Sequence, residues 1–162
     1  MFDWFKSRFR SGAGRRVLIV CTANVCRSPA AEALFRFHLK RLGKSSLVSV
    51  ESAGVSVASP GQHPDVRMRD IGGEIGLKFR GMRSRDVSTF DLSVFDVVWC
   101  MERAHVDEVL RMVSQPKSLE LFDPSGMEVA DPFYQSKAAV RETFGLLDAI
   151  ARTRAVQFAN ET

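Results

Sequence analysis

The period of the apolar positions changes several times along the chain, and each change marks an element. Val17-Leu18-Ile19-Val20-Cys21 is an unbroken, β-branched run, the pattern of a strand covered on both faces. Thr22 to Arg27 reads as a turn. Ser28-Pro29 then predicts a helix start, with serine as the cap and proline in the first turn. That helix runs through Ala30, Ala31, Leu34, Phe35 and Leu39 to a stop at Gly43. Leu47 to Ser52 predicts a second strand, and Ala53-Gly54 to Gly61 a loop. His63 to Ile75 reads as a helix weakened by Gly72-Gly73. Val94 to Cys100 predicts a third strand, Arg103 to Met112 a helix, and Ser118 to Phe122 a short fourth strand. A last helix spans about Lys137 to Arg154, with Val140, Phe144, Leu147, Ile150 and Ala151 on one face.

Strands that alternate with helices predict an α/β domain: a four-stranded parallel sheet with right-handed crossovers and helices on both faces. In such sheets ligands sit beyond the carboxyl ends of the strands. The turn after the first strand is therefore the expected site, as a phosphate-binding loop.

Composition narrows the class. The chain has 162 residues, 45% hydrophobic and 26% charged, which suits one globular domain. No apolar run is long enough for a membrane span or a secretory signal. Cys21, Cys26 and Cys100 are too few and too oddly spaced for a disulfide scaffold, so a reducing, cytoplasmic setting is expected. The net charge of +4 is mild, and no basic stripe resembles a nucleic-acid footprint. Residues 1–14 stand apart from the domain at 15–162. Phe2, Phe5 and Phe9 recur at helical spacing among Lys6, Arg8 and Arg10, ahead of a Ser11-Gly12-Ala13-Gly14 joint. Such an extension packs on the domain, or touches a membrane surface or a partner.

The turn Cys21-Thr22-Ala23-Asn24-Val25-Cys26-Arg27-Ser28-Pro29 carries the chemistry. A loop that curls between a strand and a helix start points successive N–H groups inward, and the helix N-terminus adds partial positive charge. That cradle suits a tetrahedral oxyanion. Arg27 offers two parallel donors to two phosphate oxygens, which lysine does not. The same field favours the thiolate of Cys21, to which Ser28 is placed to donate. A thiolate beneath a bound phosphate is set for in-line attack on phosphorus. No metal or other cofactor is called for, since no cluster of Cys, His, Asp and Glu suggests one.

These residues resemble the signature of the low-molecular-weight protein tyrosine phosphatases, bacterial type: an apolar strand, Cys, five residues, then Arg-Ser-Pro. Ala130-Asp131-Pro132-Phe133-Tyr134 is similar to the family's distal Asp-Pro loop, and the segments Ser52-Ala53-Gly54, Arg83-Ser84-Arg85 and Asp96 to Glu102 agree in order. The resemblance spans about residues 16 to 154. It implies Cys21 as the nucleophile that forms a phosphocysteine, Arg27 as the phosphate binder, and Asp131 as general acid and then base. Thr22, Ala23, Asn24, Val25, Cys26 and Ser28 would form the phosphate cradle, with Phe133 and Tyr134 as cleft walls. It further implies that Asn24 holds the loop in shape and that Cys26 forms a reversible disulfide with Cys21 under oxidation. From the residues alone, Asp123-Pro124 rivals Asp131-Pro132. The implied substrate is a phosphotyrosine protein, among bacterial relatives often a tyrosine autokinase in exopolysaccharide control.

Several positions depart from the family. Ala23 stands where glycine is usual, and Phe133 where many members carry tyrosine. Val55 to Ser59 are small where eukaryotic members place a bulky aromatic, so an open cleft is expected. Glu102 and His105 replace a common aspartate and asparagine and read as helix-capping or surface residues; His38 and His63 read as structural or surface residues. Other readings of the scaffold are a protein-arginine phosphatase, an arsenate reductase and a phosphate-dependent binding module. Val25, where arginine phosphatases carry threonine, favours a phenyl ring over a guanidinium. Cys100 lacks the partner cysteines a reductase needs.

Overall fold

The computed structural model describes residues 14–161; the aromatic and basic extension of residues 1–13 lies outside the described residues. The first apolar run forms β1 (Arg15–Cys21), and the loop after it leads into α1 (Arg27–Arg41). Then follow β2 (Val48–Gly54), α2 (Val66–Gly73), β3 (Val97–Cys100), α3 (Arg103–Leu110), β4 (Leu119–Leu121) and α4 (Lys137–Asn160). The sheet has the order β2-β1-β3-β4, and every pairing is parallel.

Both faces of the sheet are covered, unequally. Val17, Ile19, Val97 and Trp99 face a core built from α1, α2 and α4, with Leu34, Phe35, Met68, Leu147 and Phe158 among its members. Leu18, Val20, Val98 and Cys100 face a smaller cluster with Val109 of α3 and Val87 and Leu92 from two 3₁₀ turns. This two-sided cover is why β1 reads as a continuous apolar run. No helix among the described residues is long and apolar enough to cross a membrane.

Element limits shift where side chains compete for the backbone. Asp91 accepts from the backbone and hydroxyl of Ser93, which turns Leu92–Val94 into a 3₁₀ turn and delays β3 to Val97. Asp65 accepts from the N–H of Arg67, so α2 starts at Val66 rather than His63. α4 runs six residues past Arg154 because Phe158 packs edge-on against Phe35 and Trp99. The break after α1 falls at Gly43, whose φ of +69° suits glycine.

Candidate active site

Two features of the backbone shape the loop after β1. Asn24 adopts φ +56°, the one non-glycine residue with positive φ among those described, so Ala23 needs no left-handed conformation. Gly54 at the end of β2 lies against the loop: a Cβ there would come within 2.6 Å of the Thr22 carbonyl oxygen. Among the described residues, no protein acceptor takes the backbone N–H of Ala23, Asn24, Val25, Cys26, Arg27 or Ser28. This run of free donors precedes and opens α1, the arrangement that receives an oxyanion.

Ser28 does not cap the helix. α1 begins at Arg27, with Cys26 at the cap position and no side-chain cap. The Ser28 hydroxyl is engaged elsewhere, 2.9 Å from Cys21 Sγ and 2.9 Å from Asn24 Nδ2. Asn24 Oδ1 accepts from the Arg85 backbone N–H at 2.9 Å, which sets the orientation of the amide. Its Nδ2 donates to Ser28 Oγ and, at 3.0 Å, to Ser52 Oγ. The Ser52 hydroxyl in turn donates to Glu32 Oε2 at 2.6 Å. With Asn24 donating to it, the Ser28 hydroxyl has its own proton to give, and Cys21 Sγ at 2.9 Å lies closer than the Ala53 carbonyl at 3.4 Å. Burial raises the pKa of Glu32, a pull that Arg36 and the Ser52 hydroxyl oppose.

Arg27 is 1% exposed and held along one end of its fork. Nη1 donates to Glu102 Oε1 and, at 2.8 Å, to the Val129 carbonyl; Nη2 donates to Thr22 Oγ1 at 3.1 Å. No protein acceptor among the described residues takes Nε–H, which leaves that donor for an oxyanion. Asp131 Oδ2 lies 3.4 Å from Nη2, and its Oδ1 accepts from the Phe133 N–H at 3.1 Å.

Cys21, Thr22, Ala23, Val25, Cys26, Arg27, Gln62, Asp131, Phe133 and Tyr134 line one cleft of about 270 Å³. Every catalytic candidate and most of the expected cradle meet there; Asn24 and Ser28 stand behind as supports. Phe133 and Tyr134 pack edge-to-face at 4.9 Å, with Tyr134 94% exposed as a free-standing wall. The wall from the loop after β2 is Gln62, with no aromatic residue among the cleft's lining from that loop. Asp123, the rival aspartate, instead caps its own turn by accepting from Ser125 N–H at 2.8 Å.

None of the three cysteines is in a disulfide. Cys26 is pushed up to about 12, first by burial and then by the charges of Asp65, Cys21 and Asp131. Burial likewise pushes Cys100 up to about 12. Neither competes as a thiolate at neutral pH.

Glu102 and His105, expected from the sequence as cap or surface residues, take on more than that role. They do form a capping box at the start of α3, but His105 is 2% exposed and its Nε2 lies 2.9 Å from Thr22 Oγ1. Glu102 at the same time receives Arg27. The one available signal was the acidic residue just after β3, at the ligand end of the sheet. His38 is structural, 2.6 Å from Asp148, and His63 is exposed.

The sequence model for low molecular weight phosphotyrosine protein phosphatases matches residues 16–161. The chain is 32% identical over 125 residues to the low molecular weight protein-tyrosine-phosphatase YfkJ of Bacillus subtilis, covering 73% of this chain and 80% of that protein. The crystal structure of YfkJ from Bacillus subtilis has a TM-score of 0.81 to this chain at 27% identity, covering 93% of this chain and 98% of its own. The YwlE arginine phosphatase from Geobacillus stearothermophilus has a TM-score of 0.79 at 27% identity, covering 91% and 94%. With the match extending from β1 to the end of α4, the chain belongs to the low molecular weight phosphotyrosine protein phosphatase family.

Proposed function

We propose that the domain at 15–162 hydrolyses phosphotyrosine in proteins through a phosphocysteine. The observation that carries this reading is the convergence of Cys21, Arg27 and Asp131 on one cleft, with Ser28 Oγ 2.9 Å from the Cys21 sulfur. The loop N–H groups and Arg27 hold the phosphoryl oxygens. Cys21 Sγ forms a bond to phosphorus as the bond to the phenolic oxygen breaks. Protonated Asp131 gives its proton to that oxygen. The resulting carboxylate then takes a proton from water, whose oxygen displaces Cys21 and releases inorganic phosphate.

Val25 lines the cleft without a hydroxyl, which supports an aryl group over a guanidinium. Similarity of fold does not separate the two substrates, because the YfkJ and YwlE structures match almost equally well. A cytoplasmic site of action, and a tyrosine autokinase as the phosphoprotein partner, follow from the resemblance to bacterial members. The test is hydrolysis of matched phosphotyrosine, phosphoserine and phosphoarginine peptides, with Cys21→Ser as control. Phosphotyrosine turnover that the variant abolishes is expected. Preferential turnover of phosphoarginine would overturn the substrate assignment, and turnover surviving in Cys21→Ser would overturn the nucleophile.

A further inference from the structure

Thr22 contributes more than a backbone amide to this site. Its Oγ1 lies 2.9 Å from His105 Nε2 and 3.1 Å from Arg27 Nη2. The state of the imidazole follows from its other nitrogen. Nδ1 accepts the Glu102 backbone N–H at 3.1 Å as part of the capping box, so it carries no proton. A neutral ring with a bare Nδ1 has its proton on Nε2, and that proton points at Thr22 Oγ1. Burial and the nearby Arg27 guanidinium lower the pKa of His105, against the opposing charges of Glu102, Asp131 and Glu128. Arg27 is a donor in every state.

Thr22 Oγ1 thus receives two donors, one for each lone pair. Its own proton is directed away from both. Thr22 is half-buried and lines the cleft beside Cys21, Arg27 and Asp131. An acceptor for that proton is then an oxygen in the cleft.

We propose that the Thr22 hydroxyl is a side-chain donor to the bound phosphoryl group, aimed by His105, which acts as a positioning residue through Thr22. This rests on the reading of the cleft as a phosphoryl site and deepens it. The same Arg27 Nη2 that donates to Thr22 lies 3.4 Å from Asp131. The hydroxyl and the Asp131 carboxylate therefore meet at one guanidinium nitrogen, on the same side of the cleft. Glu102 ties the parts together: its carboxylate receives Arg27 and its N–H selects the His105 tautomer.

Inorganic vanadate affinity and kcat/KM for p-nitrophenyl phosphate are the readouts, on the full chain. Thr22→Val keeps the shape and removes the donor. It is expected to weaken both by ten- to a hundredfold, the usual range for one hydrogen bond to a charged acceptor. Thr22→Ser is expected to restore most of that loss. His105→Phe is expected to weaken vanadate binding in the parent chain yet add nothing in the Thr22→Val background; a merely structural histidine would add its cost in both. Nitrogen-15 NMR of the parent protein covers the case in which His105→Phe fails to fold. It is expected to show unprotonated Nδ1 and protonated Nε2, with the Nε2 signal moving on vanadate binding. Vanadate affinity within twofold of the parent in Thr22→Val, or a proton on Nδ1, would overturn the inference while leaving the phosphatase reading intact. A parent protein that neither binds vanadate nor hydrolyses aryl phosphate would overturn both.

Discussion

Asn24 separates loop stability from nucleophile activation, because one side chain supplies both. Its Oδ1 holds the Arg85 N–H, its two amide protons hold Ser28 and Ser52, and its backbone sits at φ +56°. Asn24→Ala leaves a part-buried N–H unpaired, about 1–3 kcal/mol. It also puts a Cβ-bearing residue without a local hydrogen bond in the left-handed region, about 1–2 kcal/mol. The expected stability loss is about 2–5 kcal/mol. Asn24→Gly removes the backbone penalty, so it should recover roughly 1–2 kcal/mol of that loss. Asn24→Asp behaves differently. It keeps the acceptor for Arg85 and tolerates positive φ, yet exchanges two donated protons for a second acceptor. Ser28 then donates to the new carboxylate instead of Cys21. Loss of that charge-assisted bond, about 1.5–3 kcal/mol, should lower kcat/KM for an aryl phosphate by roughly 10- to 150-fold. Urea unfolding and steady-state kinetics on the same preparations test the contrast. Alanine is expected to be less stable than glycine, and aspartate to lose the most activity of the three. Wild-type kcat/KM in a folded Asn24→Asp protein would refute the proton ordering argued from Ser52, Asn24 and Ser28.

Other consequences follow from the same geometry. Asp131→Asn should slow phenyl phosphate, a poor leaving group, far more than dinitrophenyl phosphate, and equal slowing would remove Asp131 from the acid role. Arg67 ties α2 to the Asp-Pro loop through the carbonyls of Phe133 (2.9 Å) and Gln135 (3.3 Å), so Arg67→Ala should lower kcat several-fold while global stability moves by less than about 1 kcal/mol. With Cys26 and Cys100 each pushed up to about 12, mass-mapped iodoacetamide labelling at pH 7 should modify Cys21 alone, and inorganic phosphate should protect it. His105 is held below its ordinary pKa by burial and Arg27, so as pH falls below about 6.5 the unfolded chain takes up a proton that the folded chain resists. Stability is lost in that direction, and thermal melts of a folded His105→Asn protein should show a shallower decline between pH 6.5 and 5.

Which parts of the site were legible in the sequence depended on how far apart its members lie along the chain. Cys21, Arg27 and Ser28 occupy one strand-loop-helix segment, where local pattern and spacing carry the information. Glu102 reaches Arg27 across 75 positions, and the Val129 carbonyl reaches it across 102. No local pattern marks such partners, and a carbonyl has no side-chain identity to read. Ser28 is the instructive misreading. Serine before proline at a helix start scores as a cap because its hydroxyl seeks orphan backbone N–H groups. Here a sulfur and an amide hold the hydroxyl, and the first-turn N–H groups stay free. An uncapped helix start beside a nucleophile is therefore a sign of an anion site, where a capped one would be a sign of stability.

The sheet order explains why those distant partners arrive at one place. β1 lies between β2 and β3, and all three run parallel. Their carboxyl ends therefore open on the same edge, with the Cys21 loop in the middle. The end of β2 supplies Ser52 and the close-packed Gly54 on one side. The residue two places beyond Cys100, Glu102, closes on Arg27 from the other. An antiparallel neighbour would have brought the start of a strand to that edge, and the residues following it to the opposite side of the domain. Parallel topology thus converts three segments far apart in sequence into a single shell around the loop from Cys21 to Arg27. It makes the first residues after each strand the places where a change in this family's chemistry can be built.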